Sequence, residues 1–179
     1  MEDIGKWAFS GNRIASLSIG SRLSAIGEHA FSVNAITNLA IPGNVKNIGD
    51  YAFSGGNEIA SLSVGDGVVS IGTRAFAGNK IGNVEIPYSV DIIGESAFAG
   101  NGITALAILG NPVNGEGRAR IGNSAFYGNH IEEVKIPSNV KISNHDSMGV
   151  YGDLFVSIYN GNGKLGGTYS HSAGGWDRK

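Results

Sequence analysis

Ile71-Gly72-Thr73-Arg74-Ala75-Phe76-Ala77-Gly78-Asn79-Lys80-Ile81-Gly82-Asn83-Val84-Glu85-Ile86-Pro87 is the stretch whose reading decides the fold. Its order is Ile-Gly, two variable residues, Ala-Phe, a Gly-Asn turn, then Ile-x-x-Val-x-Ile-Pro. That order returns from one end of the chain to the other. Self-similarity at a fixed period outranks local propensity, because each unit is then one element of a stacked array.

The Ile-Gly pairs begin at residues 4, 26, 48, 71, 93 and 121, which gives spacings of 22, 22, 23, 22 and 28. Each is followed by Ala-Phe (Phe9, Phe31, Phe53, Phe76, Phe98, Phe126), by an Asn (Asn12, Asn34, Asn57, Asn79, Asn101, Asn129) and by an apolar triplet such as Ile14-x-x-Leu17-x-Ile19 or Ile131-x-x-Val134-x-Ile136. A period near 22 is too short for a paired-helix repeat and lies in the leucine-rich range. In Leu17-x-Ile19 and its counterparts, side chains two apart share one face of a strand, and that face points inward. The six Phe are expected to stack as a spine. The six Asn are expected to form a buried ladder bonded to neighbouring backbone, with a ligand role as the alternative. Glu28, Asp50 and Glu95 follow the Gly and suit the start of a short helical turn. The few residues available there predict 3₁₀ or single-turn segments on the convex side.

The motif Ile-Gly-x-x-Ala-Phe-x-Gly-Asn-x-Ile-x-x-Val-x-Ile-Pro resembles the BspA-like class of bacterial leucine-rich repeats over roughly residues 4–142. It departs from the general leucine-rich pattern in one respect: an Asn three residues after the last strand position occurs only at Asn44 and Asn139, and the recurring Asn precedes the strand. The expected fold is an α/β-type leucine-rich repeat: a right-handed solenoid with a curved parallel β-sheet. It divides into a solenoid of six repeats over residues 1–142 and a C-terminal capping β module over 143–179.

Two irregularities interrupt the period. The third unit carries Gly55-Gly56, a small turn adjustment. The fifth carries an insertion near 111–120 that reads either as a loop beside a binding surface or as a tolerated solvent loop. Beyond Ile142 the pattern decays. Leu154-Phe155-Val156-Ser157-Ile158-Tyr159 and Gly166-Gly167-Thr168-Tyr169-Ser170 read as the two strands of a hairpin, with Trp176 covering the last repeat, since a solenoid's final unit otherwise exposes core. This ending also resembles the C-terminal module of some family members. Nothing comparable precedes Ile4, so the first strand, Ile14 to Ile19, is expected to be an open edge.

Composition bounds the function. Lys and Arg number 13 against 15 Asp and Glu, a net charge of -2 that gives no electrostatic case for nucleic acid. There is no Cys, which excludes disulfides and thiolate metal sites. Gly, at 29 residues, is explained by tight turns at regular intervals, because an apolar content of 41% argues against disorder. No apolar run approaches the roughly 20 residues of a spanning helix, and the start of the chain shows no signal-peptide pattern.

Candidate chemistry is sparse. Gly161-x-Gly163-x-x-Gly166 matches the dinucleotide-binding pattern by letter, yet no helix or later acidic residue fits around it. His29, His130, His145 and His171 lack zinc-site spacing, and His145-Asp146 reads as loop. No nucleophile elbow or distinctive carboxylate pair occurs. The chain is therefore read as a non-enzyme with no catalytic residue, cofactor or metal.

Strand alternation places the residues between the inward positions on the concave surface. These are Ser16, Ser18, Asn38, Ala40, Ser61, Ser63, Asn83, Glu85, Ala105, Ala107, Glu133 and Lys135. They form the candidate protein-binding face; the alternative is that small residues merely relieve crowding. Six strands at roughly 4.8 Å span about 24 Å, which makes the strip smaller than the roughly 800 Å² per partner of a stable interface. The resemblance implies a non-catalytic interaction module, a bacterial surface or secreted protein that adheres to host matrix or cell-surface proteins. The alternative is self-assembly into a homo-oligomer through the concave face or the uncapped N-terminal edge.

Overall fold

The computed structural model describes residues 2–143, 159, 163–164, 166–173 and 175–179. Fourteen strands occur among them: β1 Asp3–Ile4, β2 Ala25–Ile26, β3 Asn38–Ile41, β4 Asn47–Ile48, β5 Ser61–Val64, β6 Ser70–Ile71, β7 Asn83–Ile86, β8 Ile92–Ile93, β9 Ala105–Ile108, β10 Arg120–Ile121, β11 Glu133–Ile136, β12 Lys141–Ile142, β13 Gly167–Ser172 and β14 Gly175–Arg178.

The chain coils as a parallel β-solenoid of about six turns. Its two-residue strands stack as one seven-stranded parallel sheet in the order β1-β2-β4-β6-β8-β10-β12. Their register places Ile4, Ile26, Ile48, Ile71, Ile93, Ile121 and Ile142 in one row. These short strands are a second strand per repeat that the sequence reading lacked. The four-residue strands were expected to form one sheet, but they form two. The pair β3–β5 stands apart from β7-β9-β11, which continues into antiparallel β13 and β14. Residues 14–19 of the first repeat join no ladder, so the strand expected there is absent and the open edge is β1.

The return segments are turns, and no 3₁₀ helix occurs in them; Tyr159 is the one helical residue among those described. The reason is a column of left-handed residues: Trp7, His29, Tyr51, Arg74, Ser96 and Ser124 have φ of 62, 55, 56, 52, 54 and 53°, outside the negative-φ region that helices require. Backbone groups are satisfied between turns. The Phe9, Phe31, Phe53, Phe76 and Phe98 amides donate to the Ala30, Ala52, Ala75, Ala97 and Ala125 carbonyls at 2.7–2.8 Å. Of the acidic residues, Asp50 serves the same stacking, its Oδ1 accepting the Thr73 amide at 2.7 Å, and Glu28 pairs with Lys6 Nζ of the turn before it at 2.7 Å.

The interior follows the repeat. The Phe spine is continuous, with adjacent ring centroids 5.2–5.4 Å apart from Phe9 to Phe126. Stacked rings at this spacing add to area burial by roughly 0.5–1.5 kcal/mol per pair. The Asn ladder lies beside it. Asn79 Oδ1 accepts the Ile59 amide at 3.1 Å, while its Nδ2 donates to the Phe53 and Phe76 carbonyls at 3.0 Å each. Asn34, Asn57, Asn101 and Asn129 repeat this bridge from one turn to the one before it.

At the C-terminal end, the expected strand at residues 166–170 is present as part of β13. It forms an antiparallel hairpin with β14. Residues 154–158 lie outside those described, and Tyr159 is buried, accepting the Val140 amide at 3.2 Å and donating to the Pro137 carbonyl at 2.9 Å. Burial pushes the Tyr159 phenol up to about 12 against the opposing pull of the Val140 amide. Tyr159, Tyr169 and Trp176 are buried with the repeat core. Gly166 leads into strand β13, which removes the helix a dinucleotide site needs.

Candidate protein-binding face

Each long strand buries alternate residues. β7 buries Val84 and Ile86 and leaves Asn83 and Glu85 exposed; β11 buries Val134 and Ile136 and leaves Glu133 and Lys135 exposed. The same alternation exposes Asn38 and Ala40 on β3 and Ser61 and Ser63 on β5. Ser16 and Ser18 are exposed on a segment without a ladder, and Ser18 lines a separate depression at the N-terminal end.

The structure draws six of the twelve candidates together. Register sets Asn83 beside Ala105 and Ala105 beside Glu133, and in the next row Glu85 beside Ala107 and Ala107 beside Lys135. The two alanines are short and their flanking neighbours are long, so a depression of about 400 Å³ opens over β9, with Leu62 of β5 on its rim. Ala105 and Ala107 are half-buried on its floor.

Its charges are unevenly partnered. Glu133 meets Lys179 Nζ at 3.7 Å. Glu85 and Lys135 have no ion pair among the described residues and stand on either side of Ala107, about 9.6 Å apart at two strand spacings. The row thus offers an acceptor, a methyl floor and a donor in sequence. Such a row suits the backbone and side chains of a protein partner. No group of three or more His, Asp or Glu among the described residues is placed to hold a metal ion.

The face continues beyond the repeats. Ser170 pairs with Glu133 on one side and Asp177 on the other, and Thr168 lies opposite Lys135. The period-2 alternation around Tyr169 was visible in the sequence, but the pairing of β13 with β11 was not. The sequence reading also missed a surface stack at the left-handed column. Trp7 and His29 stack with centroids 3.7 Å apart, His29 and Tyr51 at 4.7 Å, and the Arg74 guanidinium lies 5.9 Å from the Tyr51 ring centre. These residues share one repeat position, three after the Ile, which is the signal that could have found them.

The insertion is tied to residues ahead of β8 and at its start. Asn111 Nδ2 donates to the Tyr88 hydroxyl at 3.1 Å, and Arg118 pairs with Asp91 and lies 5.5 Å over the Tyr88 ring. The Asp91 hydrogen bond raises the Arg118 pKa.

A family model described as "BspA type Leucine rich repeat region" matches six copies over residues 1–104 and 113–148. The chain belongs to the BspA-type leucine-rich repeat family. The match is interrupted at residues 105–112, which span β9 and the start of the insertion, where the period lengthens, and it ends at residue 148. No curated protein and no solved structure matches the chain. A leucine-rich repeat solenoid of this family is in general a non-catalytic scaffold for protein interaction. Among the described residues, no helix is long and apolar enough to cross a membrane.

Proposed function

We propose that this BspA-type solenoid is a non-catalytic adhesion module. On this reading it acts at a bacterial surface or after secretion, and binds host matrix or cell-surface proteins through the open face of its long strands. The observation that supports this reading is the depression over Ala105 and Ala107, flanked by Glu85 and Lys135, which form no ion pair among the described residues. Hydrophilic rims around a small apolar floor are how protein interfaces are commonly arranged. The strip is small, so several copies or the continuation onto Thr168, Ser170 and Asp177 would add to its affinity.

The test is binding of the purified chain to immobilised matrix and cell-surface proteins, with Ala40→Glu and Ala105→Glu as probes. Loss of binding with Ala105→Glu but not Ala40→Glu places the contact at the depression. Binding that survives both substitutions removes the open face as the site.

A further inference from the structure

The long strands do not form one ladder, and the break falls between β5 and β7, in the middle of the solenoid. Its causes can be read from the neighbouring turns. In β3–β5 and β7–β9 the residue after the strand closes the junction. The Gly65 amide donates to the Ile41 carbonyl at 2.8 Å, and the Leu109 amide to the Ile86 carbonyl at 2.9 Å. The equivalent residue of the fourth turn is Pro87, which has no amide to give the Val64 carbonyl. The entry to the strand fails as well. Ala60, Thr104 and Glu132 amides donate to the Thr37, Gly82 and Thr104 carbonyls at 2.8–2.9 Å, whereas the Gly82 amide donates to no backbone carbonyl among the described residues.

Proline accounts for a wider pattern. Pro42, Pro87 and Pro137 follow the last strand Ile of the second, fourth and sixth turns, while Gly20, Gly65 and Leu109 stand there in the others. Each junction ahead of a proline is the weaker kind. Residues 14–19 do not pair with β3, and β5 does not pair with β7. The β9–β11 pair has three register positions where β3–β5 and β7–β9 have four. Proline alone thus removes one rung. The third turn adds a second cause, the extra residue at Gly55-Gly56. There the Gly55 amide reaches the Ala77 carbonyl at 3.4 Å, against 2.8–2.9 Å for the equivalent bonds of Gly11, Gly78 and Gly100.

The break is confined to the open face. On either side of it the third and fourth turns stay tied, Lys80 N–H to the Ile59 carbonyl at 3.0 Å and Asp91 N–H to the Val69 carbonyl at 2.8 Å. Behind it, Phe53 and Phe76 stack 5.4 Å apart, and β4, β6 and β8 run on without interruption. The two turns are therefore unzipped over one strand length, about 13 Å. Side chains record the opening. Leu62 and Val64 of β5 are only partly buried, whereas Leu39 and Ile41 of β3 and Val84 and Ile86 of β7 are buried.

We propose that the β5–β7 seam is a joint of the solenoid. The turns on its two sides swing about the continuous Phe spine and short-strand sheet, and the long-strand face opens and closes between them. A junction without rungs opens at low cost, and Pro87 keeps it from zipping. The depression over Ala105 and Ala107 reaches β5 at Leu62. If that face is the binding site, as proposed above, the joint sets the position of its β5 wall.

Two arms test this on the full chain, and neither involves a partner, so their outcome is separate from that of the binding test. The first is amide hydrogen exchange by NMR. Alternate residues of a central strand bond to opposite neighbours, and Gly65 and Leu109 show that the outward-facing set bonds to the preceding turn. In β7 the Asn83 and Glu85 amides therefore face the seam, and the Val84 and Ile86 amides face β9. Asn83 and Glu85 should exchange at least about tenfold faster than Val84 and Ile86, with no such alternation along β9. Pro87→Ala restores the missing donor and should slow both seam amides by about tenfold. Pro137→Ala, the same truncation two turns on, should leave them unchanged.

The second arm reads the swing. The chain has no Cys, so Asn38→Cys and Glu133→Cys carry two spin labels across the seam, four strand spacings or about 19 Å apart. Their distance distribution should narrow with Pro87→Ala and not with Pro137→Ala. Even protection along β7 in the parent chain overturns the seam. Exchange unmoved by Pro87→Ala overturns the proline as its cause. Slowed exchange with an unchanged distance distribution overturns the joint.

Discussion

Asn79→Ala removes the bridge between the third and fourth turns, and the structure sets its cost. Asn79 is 7% exposed, and the three groups it serves belong to Ile59, Phe53 and Phe76, all fully buried. They do not suffer equally. The Phe53 carbonyl keeps the Asn57 amide at 3.3 Å and the Phe76 carbonyl keeps the Asn101 amide at 3.0 Å. Only the Ile59 amide is left with no partner, and a buried orphan donor costs roughly 1–3 kcal/mol. With the two weakened acceptors, the expected loss is about 3 kcal/mol. Asn12→Ala is the matched control, because Asn12 is exposed and bonds only within its own turn; it should cost under about 1 kcal/mol. Urea denaturation with equal m-values gives both numbers, provided each variant unfolds in a single transition. Equal losses for the two variants would refute the ladder as a bridge between turns.

Other perturbations test separate parts of the account. Val33 holds φ 55° at 56% exposure, in the place where Gly78, Gly100 and Gly128 sit at 70, 63 and 73°; Val33→Gly should stabilise the chain by about 1 kcal/mol in a denaturant melt, as relief of left-handed strain exceeds the entropy glycine adds. Phe76→Ala should cost roughly 3–5 kcal/mol, and Phe9→Ala less than half of that in the same assay, because Phe9 stacks on one side only. The Tyr159 phenol is raised in the folded state, so its contribution is complete below its ordinary value near 10 and is lost as pH rises towards about 12. Unfolding midpoints measured from pH 8 to 11 should fall at the alkaline end, and Tyr159→Phe should flatten that fall.

Much of this was legible in the sequence because the residues that build the turns recur. Gly72, Phe76 and Asn79 have counterparts in every unit, and each proves to be a stacking position. The two-residue strands were hidden for the opposite reason. Only their final Ile recurs, and the residue before it varies from Asp3 to Ala25 to Arg120. The helical returns were misread because the left-handed column is filled by Trp7, His29 and Tyr51 rather than glycine, so composition carried no sign of positive φ. On the open face, alternation correctly placed Asn83, Glu85, Glu133 and Lys135 outward. The depression itself depends on which side chains flank Ala105 and Ala107, and that follows from register between strands 22 to 28 residues apart.

The most direct test of the proposed function is Ala105→Glu read on two scales at once, affinity for an immobilised matrix or cell-surface protein that the parent chain binds, and unfolding midpoint. Affinity is expected to fall at least tenfold, about 1.4 kcal/mol, while the midpoint stays where it was. Unchanged affinity, with a carboxylate standing on the floor of the depression in place of the Ala105 methyl, would contradict the proposed site.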